Sequence, residues 1–255
     1  MARALSAAPA FVESRTAELA RIERWYRDLL RDTAPPEDLE WQPVRIGPTW
    51  QYDGEWLLPE ASLGWGFLAW CGYWLNGKAR KPWRFTPEQS RFLLWYYAVD
   101  TLGDFAFHSA MLQRLKGRGK DPVAATVGAG SLHAPVVFDR WDGDRAIGRD
   151  EPDAWTQIVA VSQDQTKNTM KLFPSLISPE AQRYYGMQIG KQNVWSDGDR
   201  RQIEAVTASV LAIEGGRPKQ IVRNETQNWV QGNGGHEMAG AIEGNAAKAE
   251  LGSPA

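Results

Sequence analysis

The chain has 255 residues, 43% of them hydrophobic and 24% charged, the balance of a globular protein with one large domain or a domain plus an appendage. A formal net charge of −2 gives no overall signature of DNA binding, so any DNA contact needs a local basic face or parts outside this chain. A single cysteine, Cys71, excludes an intramolecular disulfide and a cysteine-based metal site, and fits a reducing, intracellular setting.

The first residues, Met1 to Pro9, carry one arginine and no apolar run long enough for a signal peptide. From Phe11 to Asp32 the residues Leu19, Ile22, Trp25, Tyr26 and Leu29 recur at helical spacing, which predicts an amphipathic helix ended by Pro35 and Pro36. Glu37 to Pro59, rich in Pro, Gly and Trp, shows no sustained period and reads as an arm wrapping over the main domain. Leu63 to Leu75 is apolar throughout but falls short of the ~20 residues a membrane span needs, so a buried helix is expected. Thirteen tryptophans require that several pack into a core. A basic turn, Lys78 to Lys81, follows. Residues 1–82 are thus read as an N-terminal helical, Trp-rich arm and 83–255 as the core.

From Trp83 onward strands and helices alternate, as in an open, mostly parallel α/β sheet. Thr86 can cap a helix that begins at Pro87 and holds Gln89 in its first turns. Phe105 to Leu115 suits a first core strand, and Pro122 to Gly128 begins a helix. Trp155 to Ser162 is a predicted strand, Gln163 to Phe173 a helix stopped by Pro174. Gln188 to Trp195 and Gln202 to Thr207 form a predicted strand pair. Lys219 to Asn224 reads as a short strand and His236 to Lys248 as a last helix.

Between the first predicted strand and the next helix lies Lys116-Gly117-Arg118-Gly119-Lys120-Asp121, followed by Pro122. Glycines there let N–H groups turn toward phosphate, the helix N-terminus adds positive potential, and Lys120 would reach the β- and γ-phosphates. The full Walker A pattern GxxxxGK[ST] is not met, because Arg114 occupies the first glycine position and Asp121 the hydroxyl position. A basic surface turn has the same composition. About a hundred residues later, the strand Gln220 to Arg223 ends in Asn224-Glu225. A P-loop ATPase carries Asp-Glu there, the first acid holding Mg²⁺ through water and the second polarising the attacking water. Asp121 adds a carboxylate where Asn224 removes one, so the two are expected to serve one Mg²⁺–ATP site through water.

His108, His133 and His236 are scattered and suggest no zinc site. Ser162 reads as a helix cap rather than a nucleophile. Gln163 and Gln165 open the helix after the second strand, as caps or as a DNA-facing segment.

The run Trp83 to Asp100, the loop Arg114 to Pro122, the segments Ala160 to Met170 and Leu211 to Pro218, and Asn224 to Trp229 together resemble the large terminase subunits of tailed phages, most closely those infecting actinobacteria. The resemblance covers roughly 83–248. It implies a P-loop (RecA-like) ATPase that splits ATP to ADP and phosphate to drive genome DNA into the procapsid, with Lys116 as the loop's basic residue, Gln89 at the adenine and Glu225 as catalytic carboxylate. The family's usual arginine before the acidic strand is replaced by Glu214, which makes Arg217 the candidate arginine finger and Arg200 and Arg201 its rivals. Implied cofactors are ATP and Mg²⁺. Implied partners are double-stranded DNA, the portal protein, the small terminase subunit and further copies in a ring, with a monomer in isolation, no membrane, and the host cytoplasm as location. The family's coupling motif and nuclease domain would follow Ala255, so nuclease activity is not expected of this chain. A helicase-type P-loop ATPase or a catalytically weak assembly fragment are the alternatives.

Overall fold

Helix α1 (Pro9–Arg31) opens the structure, a computed structural model that describes residues 9–36, 50–114, 117, 119–207 and 218–246. Its buried stripe is Ile22, Tyr26 and Leu30, one residue per turn on one face. Trp25, read as part of that stripe, is 42% exposed. Helix α2 (Gly64–Trp74) is apolar on every side and packs against α1, α3 (Pro87–Tyr96) and α4 (Lys120–His133). A β-carbon on Gly130 would lie 2.3 Å from the Phe67 ring, so only glycine lets α4 approach α2 this closely. Among the described residues no helix is long and apolar enough to cross a membrane.

Two small hairpins flank this helical layer. One pairs β1 (Gln51–Tyr52) with β2 (Glu55–Trp56), the other β3 (Val137–Asp142) with β4 (Arg145–Arg149). Glu23, only 8% exposed on α1, bonds Arg27 one turn on at 2.8 Å and Arg145 of β4, which pins α1 to the second hairpin.

The central sheet is built from β5 (Trp155–Ala160), β6 (Gln188–Ile189), β7 (Asn193–Ser196), β8 (Arg201–Thr207) and β9 (Gln220–Arg223), in the order β6-β7-β8-β5-β9. β5 pairs in parallel with β8 and β9, whereas β6–β7 and β7–β8 are antiparallel. The expected mostly parallel sheet is therefore a small mixed one, parallel over β8, β5 and the edge strand β9 and antiparallel over β6 and β7. Helices α5 (Gln163–Met170), α6 (Phe173–Leu176) and α7 (Pro179–Tyr185) lead from β5 back to β6. Ile158 faces the large core with Phe67, Leu93 and Phe173, while Val159 faces a second cluster with Ile221, Trp229 and, from α8 (Gly235–Ala246), Met238 and Ile242. β5 is buried on both faces.

Two sequence expectations are corrected. Phe105 to Leu115 is not a strand: over 105–114 only a single bridge, Val99 to Phe105, forms, and Phe107 and Met111 are 37% and 82% exposed, so the apolar alternation buries no face. Leu115 lies outside the described residues. Pro174 does not stop a helix; it sits in the first turn of α6, where its missing N–H costs nothing. The β3–β4 hairpin was not expected, although Asp142-Gly143 between two apolar-bearing runs is its turn signal.

A buried polar chain crosses the sheet. Ser131 Oγ of α4 lies 2.5 Å from Thr156 Oγ1 of β5, which donates at 3.3 Å to Gln220 Oε1 of β9; Gln220 Nε2 donates at 3.0 Å to the Tyr96 hydroxyl of α3. Thr156→Val keeps the volume and strands these partners, so a stability loss of about 1–3 kcal/mol is expected in urea denaturation. At the far end of α4, His133 stacks on Tyr185 at 4.0 Å, with Ser196 Oγ 2.8 Å from Nε2 and Arg201 donating to Nδ1 at 2.8 Å. Burial, and secondarily Arg201, hold its pKa down at about 3. The unfolded chain takes up this proton near pH 6.5, so the stabilisation is complete above that pH and is lost as pH falls toward 3. Between pH 7 and pH 5, His133→Gln should lose about 2 kcal/mol less stability than the wild type, by urea titration at each pH.

Candidate functional site

In an open α/β fold the usual place for a ligand is the crevice at the carboxyl ends of the parallel strands. β9 ends there in Asn224 and Glu225. Asn224 is 8% exposed and held three ways: its N–H donates to Val159 O at 2.9 Å, its Nδ2 donates to Thr169 Oγ1 at 3.2 Å, and its carbonyl accepts from Trp229 Nε1 at 3.1 Å. The next residue, Glu225, has φ 53 and ψ 46, a left-handed backbone that disfavours any residue with a β-carbon. Strain of this kind persists only where the surroundings enforce it, and it concentrates at functional positions. Gln227 Nε2 donates to Glu225 Oε2.

Across the crevice, α4 begins at Lys120. Its preceding residue Gly119 has φ 83 and Gly117 has φ 78, left-handed positions that glycine alone takes without cost. Lys120 Nζ lies 3.7 Å from Glu225 Oε1 and donates to Arg114 O at 3.3 Å. Both side chains of the ion pair are about a quarter exposed, at 26% and 27%. The structure thus brings together the lysine and the carboxylate that lie far apart in the chain. Asp121 and Pro122 are half-buried in the first turn of α4. No hydrogen bond or ion pair joins Asp121 to Asn224 among the described residues. Lys116 and Arg118 lie outside the described residues.

Thr86 caps α3 through a reciprocal box: its hydroxyl accepts from Gln89 N–H at 3.3 Å, and Gln89 Oε1 accepts from Thr86 N–H at 3.0 Å. This assigns Nε2 as the end of Gln89 nearest the loop, 3.4 Å from where a β-carbon on Gly119 would stand. Beside it a shallow cleft is lined by Glu88, Gln89, Phe92, Leu112, Arg114 and Val123. Arg114 and Glu88 form an ion pair at its edge.

The arginine candidates separate. Arg217 and Glu214 lie outside the described residues. Arg201 is no candidate: its guanidinium donates to Leu132 O at 2.7 Å and to His133, and reaches Asp150 at 2.6 Å. It also stands at the amino end of β8, whereas Glu225 follows the carboxyl end of β9, roughly 20 Å away along the strands. Arg200, beside it, pairs with Asp153 at 3.0 Å on the surface. Ser162 caps α5, accepting from Gln165 N–H at 3.4 Å, and Gln163 is exposed there. His133 is engaged through both ring nitrogens, and among the described residues no three His, Cys, Asp or Glu side chains gather as one metal-ligand group. Thr169, Trp229 and Gln227, which hold the strand end, carry no local sequence signal, because their partners are set by the fold.

No family model matches the chain. It is 41% identical over 245 residues to the Gene 13 protein of Mycobacterium phage L5, covering 84% of this chain and 41% of that protein. It is likewise 41% identical over 251 residues to the Gene 13 protein of Mycobacterium phage D29, covering 86% of this chain and 42% of that one. The chain therefore spans about two fifths of the length of these curated relatives. Among solved structures it is similar to the HK97 bacteriophage large terminase, with a TM-score of 0.56 and 16% identity over 74% of this chain and 36% of that one. That likeness establishes an α/β fold of the large-terminase type.

Because Glu225 sits in a backbone region suited to glycine, Glu225→Gly should leave the protein as stable as the wild type or more so, by up to about 1 kcal/mol in chemical denaturation. A marked loss of stability would mean that the side chain itself holds the turn.

Proposed function

We propose that this chain is the ATP-binding and ATP-hydrolysing motor part of a viral large terminase, driving genome DNA into the procapsid. The observation that carries this reading is the meeting of Lys120 and Glu225 at 3.7 Å, at the mouth of the crevice where α4 begins and β9 ends. The large-terminase type of fold and the phage origin of the relatives support it.

In this reading Lys120 leaves Glu225 for the β- and γ-phosphates, while Gly117 and Gly119, with Lys116, Arg118, Asp121 and Pro122, form the loop around them. Gln89 contacts the base. Glu225, once released, orients the attacking water and accepts its proton. For a hard cation Asn224, which donates through Nδ2 to Thr169, would offer its Oδ1 and Asp121 its carboxylate from α4. Bound Mg²⁺ would neutralise the phosphate charge there. Arg217 would act on the nucleotide of a neighbouring copy in a ring on the portal, with double-stranded DNA and the small terminase subunit as further partners.

Thermal melting with Mg²⁺–ATP tests the reading. A ligand at a hundred times its Kd stabilises the folded state by about 2.7 kcal/mol, and Lys120→Ala should abolish that gain. Glu225→Gln should retain it, since the carboxylate acts on water rather than on binding. Equal stabilisation of the wild type and Lys120→Ala would sink the assignment.

A further inference from the structure

Between Glu60 and Glu88 the sequence has no carboxylate, yet it carries Lys78, Arg80, Lys81 and Arg84. In a chain of net charge −2 this is a concentrated positive segment. Its tip is held in a defined shape. Gly77 N–H donates to Lys81 O at 2.7 Å, Trp83 N–H to Leu75 O at 2.9 Å, and Asn76 N–H to Leu176 O at 2.7 Å, while Asn76 and Pro82 form an antiparallel bridge. Leu75 and Phe85 bury the root of this turn in the main core.

At the tip, Ala79 and Arg80 both have φ 57, two successive left-handed residues that are not glycine. A freely solvated charge run would relax out of that conformation, so the bonds at the root must impose it. The strain fixes the direction in which the cations stand. Lys78, Ala79, Arg80 and Lys81 are all exposed, and among the described residues no ion pair engages Lys78, Arg80 or Lys81. Arg84 differs: it donates to the carbonyls of Gly72 and Trp83 and stands over the Trp25 ring.

We propose that the Lys78–Lys81 turn is a contact for the phosphate backbone of duplex DNA. Three exposed, unneutralised cations on a rigid turn suit a polyanion of regular charge. A lipid surface fits less well, because the apolar neighbours Trp74, Leu75 and Phe85 are buried. The inference rests on the reading of the chain as part of a DNA-translocating motor, which makes duplex DNA the polyanion it meets.

The test is binding of a labelled mixed-sequence duplex across a salt series, by the wild type and by a Lys78→Ala, Arg80→Ala, Lys81→Ala triple variant of matched melting temperature. Each lost phosphate contact should make the slope of log K against log salt shallower by about 0.9, so a change of roughly 2–3 is expected, equal for unrelated sequences. Lys78→Arg with Lys81→Arg should keep the wild-type slope. An unchanged slope in the triple variant, no duplex binding by the wild type at low salt, or binding of polyglutamate or of phosphatidylserine vesicles as tight as that of DNA would each overturn the proposal. Mg²⁺–ATP stabilisation of the triple variant, measured in parallel, should equal that of the wild type; its absence from both would sink the motor reading and not the turn's.

Discussion

The hydroxyl of Thr156 lies at the junction on which the rest of the architecture turns. Through Ser131 it reaches the end of α4, and through Gln220 it reaches β9 and then Tyr96 of α3. Lys120 starts α4, Glu225 follows β9 and Gln89 opens α3, so the elements that carry these three candidate residues meet at this chain. The junction lies at the opposite end of those elements from the crevice. From Ser131 to Lys120 the helix runs about 16 Å, a rod whose far end moves when its base tilts. In a low-dielectric interior a fully paired chain of this kind fixes one arrangement, because any slip strands a buried polar group. The gap between lysine and carboxylate is set from beneath.

The Lys120–Glu225 pair is correspondingly easy to exchange. Ion pairs with this much solvent access contribute about 0–1 kcal/mol, since water screens the charges and two long side chains must be ordered. A triphosphate offers Lys120 more negative charge than one carboxylate does. On the proposed reading, binding takes Lys120 away from Glu225 at little cost and leaves the carboxylate facing the ligand. The backbone of Glu225 cannot follow it far, because Asn224 just before it is held by Val159, Thr169 and Trp229. A fixed backbone with a released side chain is the geometry a general base requires.

Local patterns in the chain foretell local structure, and little more. The stripe of α1, the all-round apolarity of α2, the Thr86–Gln89 box and the twofold-buried run of β5 are each readable because the residues that decide them are neighbours in the chain. The segment 105–114 misleads for a complementary reason: alternation specifies a strand only when a face is buried, and burial is a property of what lies opposite. Lys120 and Glu225 are recognisable by residue type and by their place after a strand or before a helix, but nothing in the sequence brings them within reach of each other. Arg201 shows the same limit from the other side. Its run of charged neighbours resembles an exposed turn, yet the parallel register of β8 on β5 carries it under α4, onto His133 and Asp150.

Among the described residues the two faces of the sheet are unequally covered, and the difference falls where the candidate carboxylate sits. The helical layer forms one large cluster, whereas the opposite face is closed by a handful of buried residues, Val159, Val206, Ile221, Trp229, Met238 and Ile242. Three of these belong to the segment after Glu225. Trp229 does two things at once: it fills that small cluster and donates to the carbonyl of Asn224. A β-carbon on Gly235 would lie 2.5 Å from Trp229 Cα, so the start of α8 is pressed onto the same residue. Opening of α8 would therefore remove the cover of β9, the bond to Asn224 and the enforcement of strain at Glu225 together. Regions held by few buried contacts open at lower free energy than the core, and moving parts are drawn from them. The lysine side of the crevice is anchored in the large core, and the carboxylate side leans on the small one through Ile221 and Trp229.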